Sequence, residues 1–303
     1  MKKRCIVFFL SFLLVAMMFT GCSGESSKKG EGEKETTATV GEVGSNEEKN
    51  DGKLEAAEVN LFIAASLEEA FKEIIPLYNE TQSDVKIVYN ADSSGTLLTQ
   101  IQQGYECDIF FSADTKQMDA LEEDSMIREG QRKDLLENEV VVIAGKDNGT
   151  KVTGLIDMNK AESIALADGS VPVGKYTRQA LVKAGVLPET EDVSKITTQE
   201  IMDILETEIN ECANVSKVKE AVKEGSCEVG TVYYTDAYSV IDDVDILEHV
   251  SKDLTGEIIY PVGLLQNEEA DEAQQEAALD FYQFIQSEQS LEIFEKHLYG
   301  IHE

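Results

Sequence analysis

Beyond residue 58 the chain alternates short apolar runs with longer segments whose apolar residues recur every three or four positions. The first pattern predicts strands, the second amphipathic helices. The run over 59–65 is the first strand, after which Ser66-Leu67-Glu68-Glu69 opens a helix with Leu67, Ala70, Phe71, Ile74 and Ile75 on one face. A second strand over 85–89 leads through Asp92-Ser93-Ser94-Gly95-Thr96 into a helix that carries Leu97, Leu98 and Ile101 and stops at Gly104. Further strands are predicted over 107–112, 140–144, 164–167, 229–234 and 258–265. Strands separated by helices place the chain in the α/β class, with a mainly parallel sheet covered on both faces. Ligands of such sheets sit at the carboxyl ends of the strands.

At those ends stand small or hydroxyl residues and no cation: Ala65-Ser66, Ser93-Ser94-Gly95, Pro172-Val173-Gly174 and Asn214-Val215. A helix N-terminus offers unpaired N–H groups and the positive end of the helix dipole, so several such junctions converging would hold an anion without formal charge. Each also has a purely structural explanation. Ser66 with Glu69 has the spacing of a capping box, Pro172 suits a first turn, and Asn214 is a good N-cap. The Ser93-Ser94-Gly95 junction goes further, because two hydroxyls beside a glycine imply close approach to something.

The N-terminus follows a different pattern. Lys2, Lys3 and Arg4 precede an apolar run over 5–19, interrupted only by Ser11 and ending in Thr20-Gly21-Cys22. That is a secretory signal over 1–21, too short for a comfortable membrane span. The small residue before Cys22 resembles the bacterial lipoprotein cleavage site, in which this cysteine becomes the lipidated first residue, although Phe19 stands where Leu is usual. Residues 22–58 are rich in Gly, Ser, Thr, Glu and Lys and nearly devoid of large apolar residues, so they read as a flexible acidic tether. The expected location is extracytoplasmic, lipid-anchored to the outer face of the cytoplasmic membrane.

The 303 residues carry 26 Lys+Arg against 59 Asp+Glu, a formal net charge of −33. Nucleic-acid binders neutralise phosphates with clustered cations, and this balance excludes them. Residues 1–21 hold +3 and residues 22–58 hold −5, so −31 belongs to the folded part. Of five cysteines, Cys107, Cys212 and Cys227 remain beyond the tether, without CxxC spacing. Neither a disulfide framework nor a zinc site is indicated. Cys212 and Cys227 could pair in an exported protein, but a predicted helix lies between them, and three buried free thiols are expected.

Enzyme signatures are missing: there is no GxSxG elbow, no P-loop and no GxGxxG after a strand. His249, His297 and His302 have no metal-ligand spacing. Asp242, Asp243 and Asp245 lack the glycine of a calcium loop and read as solvated acids. No enzymatic activity and no cofactor are expected.

Three segments, Leu61-Phe62-Ile63-Ala64-Ala65-Ser66-Leu67, Ser93-Ser94-Gly95-Thr96-Leu97 and Asp108-Ile109-Phe110-Phe111-Ser112-Ala113-Asp114, resemble the molybdate-binding proteins of ABC transporters. The likeness continues through Val171-Pro172-Val173-Gly174-Lys175-Tyr176, Asn214-Val215, Gly230-Thr231-Val232-Tyr233-Tyr234-Thr235-Asp236-Ala237 and Tyr260-Pro261-Val262. It spans residues 59–303, with the motifs in the family's order. The resemblance implies a type II periplasmic-binding-protein fold, two α/β lobes joined by a two-strand hinge. Lobe 1 would comprise 59–139 plus 262–303, and lobe 2 140–261. It also implies a molybdate or tungstate ligand held by the hydroxyls of Ser66, Ser94 and Tyr233 and the backbone N–H groups of Val173 and Val215. Molybdenum would be bound only as the oxyanion. The partners would be the membrane permease and ATPase subunits of a molybdate ABC transporter. The alternative is a receptor for another tetrahedral oxyanion: sulfate, phosphate or tungstate alone. Two features depart from the family. Val173 stands where many relatives have Ala, which could narrow the cleft, and the acidic stretch 181–214 is long, with a surface insertion as its expected role.

Overall fold

The computed structural model describes residues 52–302, so the signal peptide, Cys22 and most of the tether lie outside the described residues. The chain opens with β1 (Ala57–Ala64), α1 (Glu68–Asn79), β2 (Val85–Asp92), α2 (Ser94–Gln102), β3 (Ile109–Phe111), α3 (Thr115–Glu123) and β4 (Ile127–Asn138). It crosses into a second sheet with β5 (Val140–Gly145), β6 (Ser163–Ala167), α4 (Pro172–Lys183), α5 (Thr198–Leu205), β7 (Glu208–Cys212), α6 (Val215–Lys223), β8 (Val229–Tyr233), α7 (Tyr234–Tyr238), β9 (Val244–His249) and α8 (Lys252–Thr255). It returns through β10 (Ile258–Leu265) and ends in α9 (Glu272–Ile285), α10 (Glu288–Lys296) and β11 (Gly300–Ile301).

The first sheet has the order β11-β4-β10-β3-β1-β2 and the second β7-β6-β8-β5-β9. Each is mixed, which corrects the expectation of a mainly parallel sheet. The strand–helix–strand units give parallel pairs, β1 with β2 and β3, and β6 with β7 and β8. The long strands at the crossings pair antiparallel, β10 with β3 and β4, and β5 with β8 and β9. β10 belongs to the first sheet along its whole length, from Ile258 opposite Asn138 onward, so the return to lobe 1 comes before residue 262.

Burial explains which strands the apolar runs reveal. All six residues of β5 and all eight of β10 are buried, and such strands read as continuous apolar sequence. β1 opens at Ala57, and Leu54 already packs on the core, so structure begins inside the stretch assigned to the tether. The 181–214 stretch is not a simple insertion. It supplies α5, closed at its start by a Thr197–Glu200 capping box, and β7, an edge strand in parallel register with β6. Fully buried Arg178 fastens it to the lobe, donating from Nε to Ile196 O and from Nη1 to Ala167 O and Gly174 O. Cys107, Cys212 and Cys227 are free and buried, as expected.

An edge-to-face series of rings runs from the lobe 1 core to the cleft: Phe71, Phe111, Phe294, Tyr299, Tyr260 and Tyr233, with neighbouring centroids 5.5–6.1 Å apart. Such pairs add about 0.5–1.5 kcal/mol each beyond burial and fix ring orientation. The last step, Tyr260 to Tyr233, passes from the first sheet to the second.

Candidate functional site

The carboxyl ends of the parallel strands of both sheets meet in one cleft. β1 delivers Ser66, β2 delivers Ser94, β6 and the loop after it deliver Val173, β7 delivers Val215, and β8 ends on Tyr233. All five residues expected to bind ligand line the same narrow cavity. Among the described residues no Lys or Arg lines it.

Ser94 is the first residue of α2, and the preceding Ser93 takes the capping role by accepting from Thr96 N at 3.2 Å. That division of labour frees Ser94, whose Oγ accepts from Ala113 N at 3.0 Å. With its acceptor side so used, the Ser94 hydroxyl has its hydrogen left to donate. Gly95 beside it is there for space. A Cβ at this position would lie 2.8 Å from Ser170 O, across the cleft on the second lobe.

Ser66 differs from the expected capping box. The helix α1 starts two residues later, neither Ala64 nor Leu67 makes a side-chain cap, and Glu69 is paired with Lys72. The Ser66 hydroxyl instead meets Tyr260 Oη at 3.1 Å, and its carbonyl accepts from Tyr299 Oη at 2.7 Å. Two tyrosines of the ring series outcompete the local cap and turn the serine toward the cleft.

On the second lobe, Pro172 and Val173 are the first two residues of α4, and Val215 is the first of α6. The N–H groups of Val173 and Val215 lie in the first turn, where no intrahelical acceptor exists, and Pro172 has none to leave unpaired. Asn214 caps α6 as expected, accepting from Lys217 N at 3.1 Å. Val173 is fully buried and lines the cavity on this side.

Tyr233 is 1% exposed, and its Oη is buried with no hydrogen-bond partner among the described residues. An unpaired buried hydroxyl costs about 1–3 kcal/mol. Burial pushes its acidity well above the ordinary phenol value, helped by the neighbouring Tyr260 and Tyr176 hydroxyls, so it keeps its proton and remains a donor.

Cross-lobe contacts hold the cleft shut. Asn214 Nδ2 donates to Asp92 Oδ1 at 3.1 Å, Lys175 Nζ pairs with Asp114, and Asn138 Nδ2 donates to Thr235 Oγ1 at 3.0 Å. Asp92, at the rim, spends Oδ1 on Ser93 N and Asn214 Nδ2. Sequence reading missed Asp92, Asn138 and Tyr260 as parts of the site, because their partners lie 122 to 194 positions away. Among the described residues no group of His, Cys, Asp and Glu is arranged to hold a metal ion.

The arrangement is a narrow cleft whose hydroxyl and first-turn N–H groups are uncharged donors, with the Asp92 carboxylate as the charged group in its lining. It lacks a nucleophile–base pair and suits an anion rich in acceptor oxygens.

Residues 59–299 match the family pattern of the bacterial extracellular solute-binding proteins. The chain is 29% identical over 297 residues to YvgL of Bacillus subtilis, named as an ABC transporter substrate-binding lipoprotein, covering 98% of this chain and 97% of that one. It is 28% identical over 253 residues to the molybdate-binding protein ModA of Escherichia coli, covering 80% and 89%. A solved substrate-binding domain assigned to a molybdenum ABC transporter of Clostridium difficile is 31% identical, with a TM-score of 0.58 over 82% of this chain and all (100%) of that one. The two-lobed architecture is the type II periplasmic-binding-protein fold. These relatives are substrate-binding transport proteins, not enzymes. The chain belongs to the bacterial extracellular solute-binding proteins.

Proposed function

We propose that this protein captures molybdate, and tungstate with it, outside the cytoplasmic membrane and delivers it to the permease and ATPase of an ABC transporter. In this reading Cys22 carries the lipid that holds it there, as the naming of YvgL as a lipoprotein supports. Residues 1–21 serve as the signal and no cofactor takes part.

The observation that carries the reading is the buried Tyr233 hydroxyl, without a partner among the described residues, on a residue that lines one cavity with two serines and the first turns of α4 and α6 and, among the described residues, with no Lys or Arg. A buried ion without partners costs tens of kcal/mol, so a dianion must be wrapped in donors. Five to eight charge-assisted bonds at roughly 1.5–3 kcal/mol supply about 8–24 kcal/mol gross. Micromolar to nanomolar affinity needs about 8–12 kcal/mol, so neutral donors suffice. This also reconciles the ligand with the acidic domain: the cage is made of dipoles, and solvent ions screen the surface charge within about 8–10 Å.

A donor-only cage refuses hydrogen phosphate, whose proton would face a donor, and fits sulfate poorly because the smaller ion stretches every bond. Titration calorimetry of the purified protein tests this. Molybdate and tungstate should each bind at one site with affinities within about tenfold, and sulfate about a hundredfold or more weaker. Tightest binding of sulfate or phosphate, or about a thousandfold separation of molybdate from tungstate, would overturn it.

A further inference from the structure

The two serines of the cage donate to a ligand only if their single hydrogens are not spent on a protein acceptor, which is assured when the neighbouring group donates to them. For Ser94 that donor is the backbone N–H of Ala113, which cannot reverse. For Ser66 it is another hydroxyl, Tyr260 Oη at 3.1 Å, and a pair of hydroxyls can point either way. What removes the ambiguity lies one step further back. Asn138, the last residue of β4 at the crossing between lobes, accepts from Glu139 N through Oδ1 at 2.9 Å. A backbone N–H can only donate, so the oxygen of the amide must face it, and Nδ2 must face Tyr260 and Thr235. Nδ2 donates to Tyr260 Oη at 3.2 Å and to Thr235 Oγ1 at 3.0 Å. Having accepted from Asn138, Tyr260 turns its hydrogen to Ser66 Oγ, and Ser66 turns its own into the cavity.

We propose that Asn138 and Tyr260 are positioning residues that fix the polarity of the ligand cage, a one-way chain from Asn138 Nδ2 through the Tyr260 and Ser66 hydroxyls to the bound oxyanion. The inference rests on the oxyanion reading of the cavity and deepens it, because it explains why a fully deprotonated anion is selected. All three side chains are buried, so bulk water does not compete for the hydrogens of the chain. The second hydrogen of Asn138 Nδ2 ends on Thr235, two residues after Tyr233, so one amide serves both lobes of the cage.

Asn138→Asp reverses the chain with little change of shape. The carboxylate accepts from Tyr260, Tyr260 then accepts from Ser66, and a Ser66 lone pair faces the ligand. At about pH 8, where the new carboxylate is ionised, molybdate affinity should fall roughly ten- to a hundredfold, as much as for Ser66→Ala. Competition by hydrogen phosphate should not weaken in parallel, because a lone pair now meets its proton. A role confined to packing would weaken both anions alike.

Tyr260→Phe keeps the ring and provides a second route that does not introduce a buried charge. It should lose several-fold in molybdate affinity in the wild-type background and nothing further when combined with Ser66→Ala. Calorimetry on the four proteins of this cycle, with melting curves to confirm folding, decides the matter. Equal losses from Tyr260→Phe with and without Ser66, or an Asn138→Asp protein that keeps wild-type molybdate affinity and phosphate rejection, would overturn the inference while leaving the ligand assignment standing. If the wild-type protein binds neither molybdate nor tungstate, the reading of the cavity falls and the inference with it.

Discussion

Tyr233→Phe separates a ligand donor from a packing residue because the two roles predict opposite signs. The ring is held by Tyr260 at a centroid distance of 5.6 Å and an interplanar angle of 67°, and Phe preserves that contact. The hydroxyl has no partner among the described residues, so deleting it removes no internal hydrogen bond and relieves a desolvation cost of about 1–3 kcal/mol in the closed form. Stability without ligand should be unchanged or raised. Molybdate should lose one charge-assisted bond of roughly 1.5–3 kcal/mol, a weakening of about ten- to 150-fold. At a molybdate concentration of about 1,000 times the wild-type Kd, binding stabilises the wild type by about 4.1 kcal/mol, and a variant weakened a hundredfold by about 1.4 kcal/mol. With roughly 2–4 °C per kcal/mol for a domain of this size, the ligand-induced rise in Tm should shrink from about 8–16 °C to about 3–6 °C. Titration calorimetry and melting curves with and without molybdate measure both quantities. A lowered Tm without ligand together with an unchanged Kd would show that the hydroxyl is structural and would refute the reasoning.

Gly95→Ala places a Cβ 2.8 Å from Ser170 O, a backbone atom that cannot step aside, so the lobes should close incompletely. Molybdate affinity should fall about tenfold or more while the ligand-free melting temperature stays within about a degree. Burial of Asp236, whose Oδ2 has no partner among the described residues, raises its carboxyl pKa to about 6 against the opposing charge of Lys219, whose Nζ lies 3.8 Å from Oδ1. The folded state therefore holds a proton that the unfolded chain releases near pH 4, so this group's contribution to stability, about 2–3 kcal/mol, is present at low pH and lost as pH rises through about 6. Asp236→Asn should raise Tm at about pH 8 and leave it nearly unchanged at about pH 4, and an equal gain at both would contradict this.

The strands that bury both faces, such as β5, β8 and β10, are legible as apolar runs, and the junctions that carry Ser94, Val173, Val215 and Tyr233 are legible from the small and capping residues beside their helices. β4 was not legible, because six of its twelve residues are charged and only a minority face the core. It is nevertheless the strand that carries Asn138 and pairs with the whole of β10. β7, Glu-Ile-Asn-Glu-Cys, is an edge strand that exposes three of its five positions, and inside an acidic stretch it looked like surface loop. The position of Ser66 is legible in the sequence, but its hydrogen-bond partner is not. A capping box is a local pattern four residues long, whereas the competing Tyr260 lies 194 positions away and leaves no trace in local spacing.

The central claim is that a tetrahedral oxyanion is bound by uncharged donors from both lobes. Anomalous diffraction from crystals grown with tungstate tests it most directly, since the metal scatters strongly and marks the centre of the anion. One tungsten peak is predicted between the lobes, with its oxygens within hydrogen-bonding distance, about 2.7–3.2 Å, of the Ser66, Ser94 and Tyr233 hydroxyls and the Val173 and Val215 N–H groups. A peak elsewhere, or an anion in the cleft held by a lysine or arginine, would contradict the account.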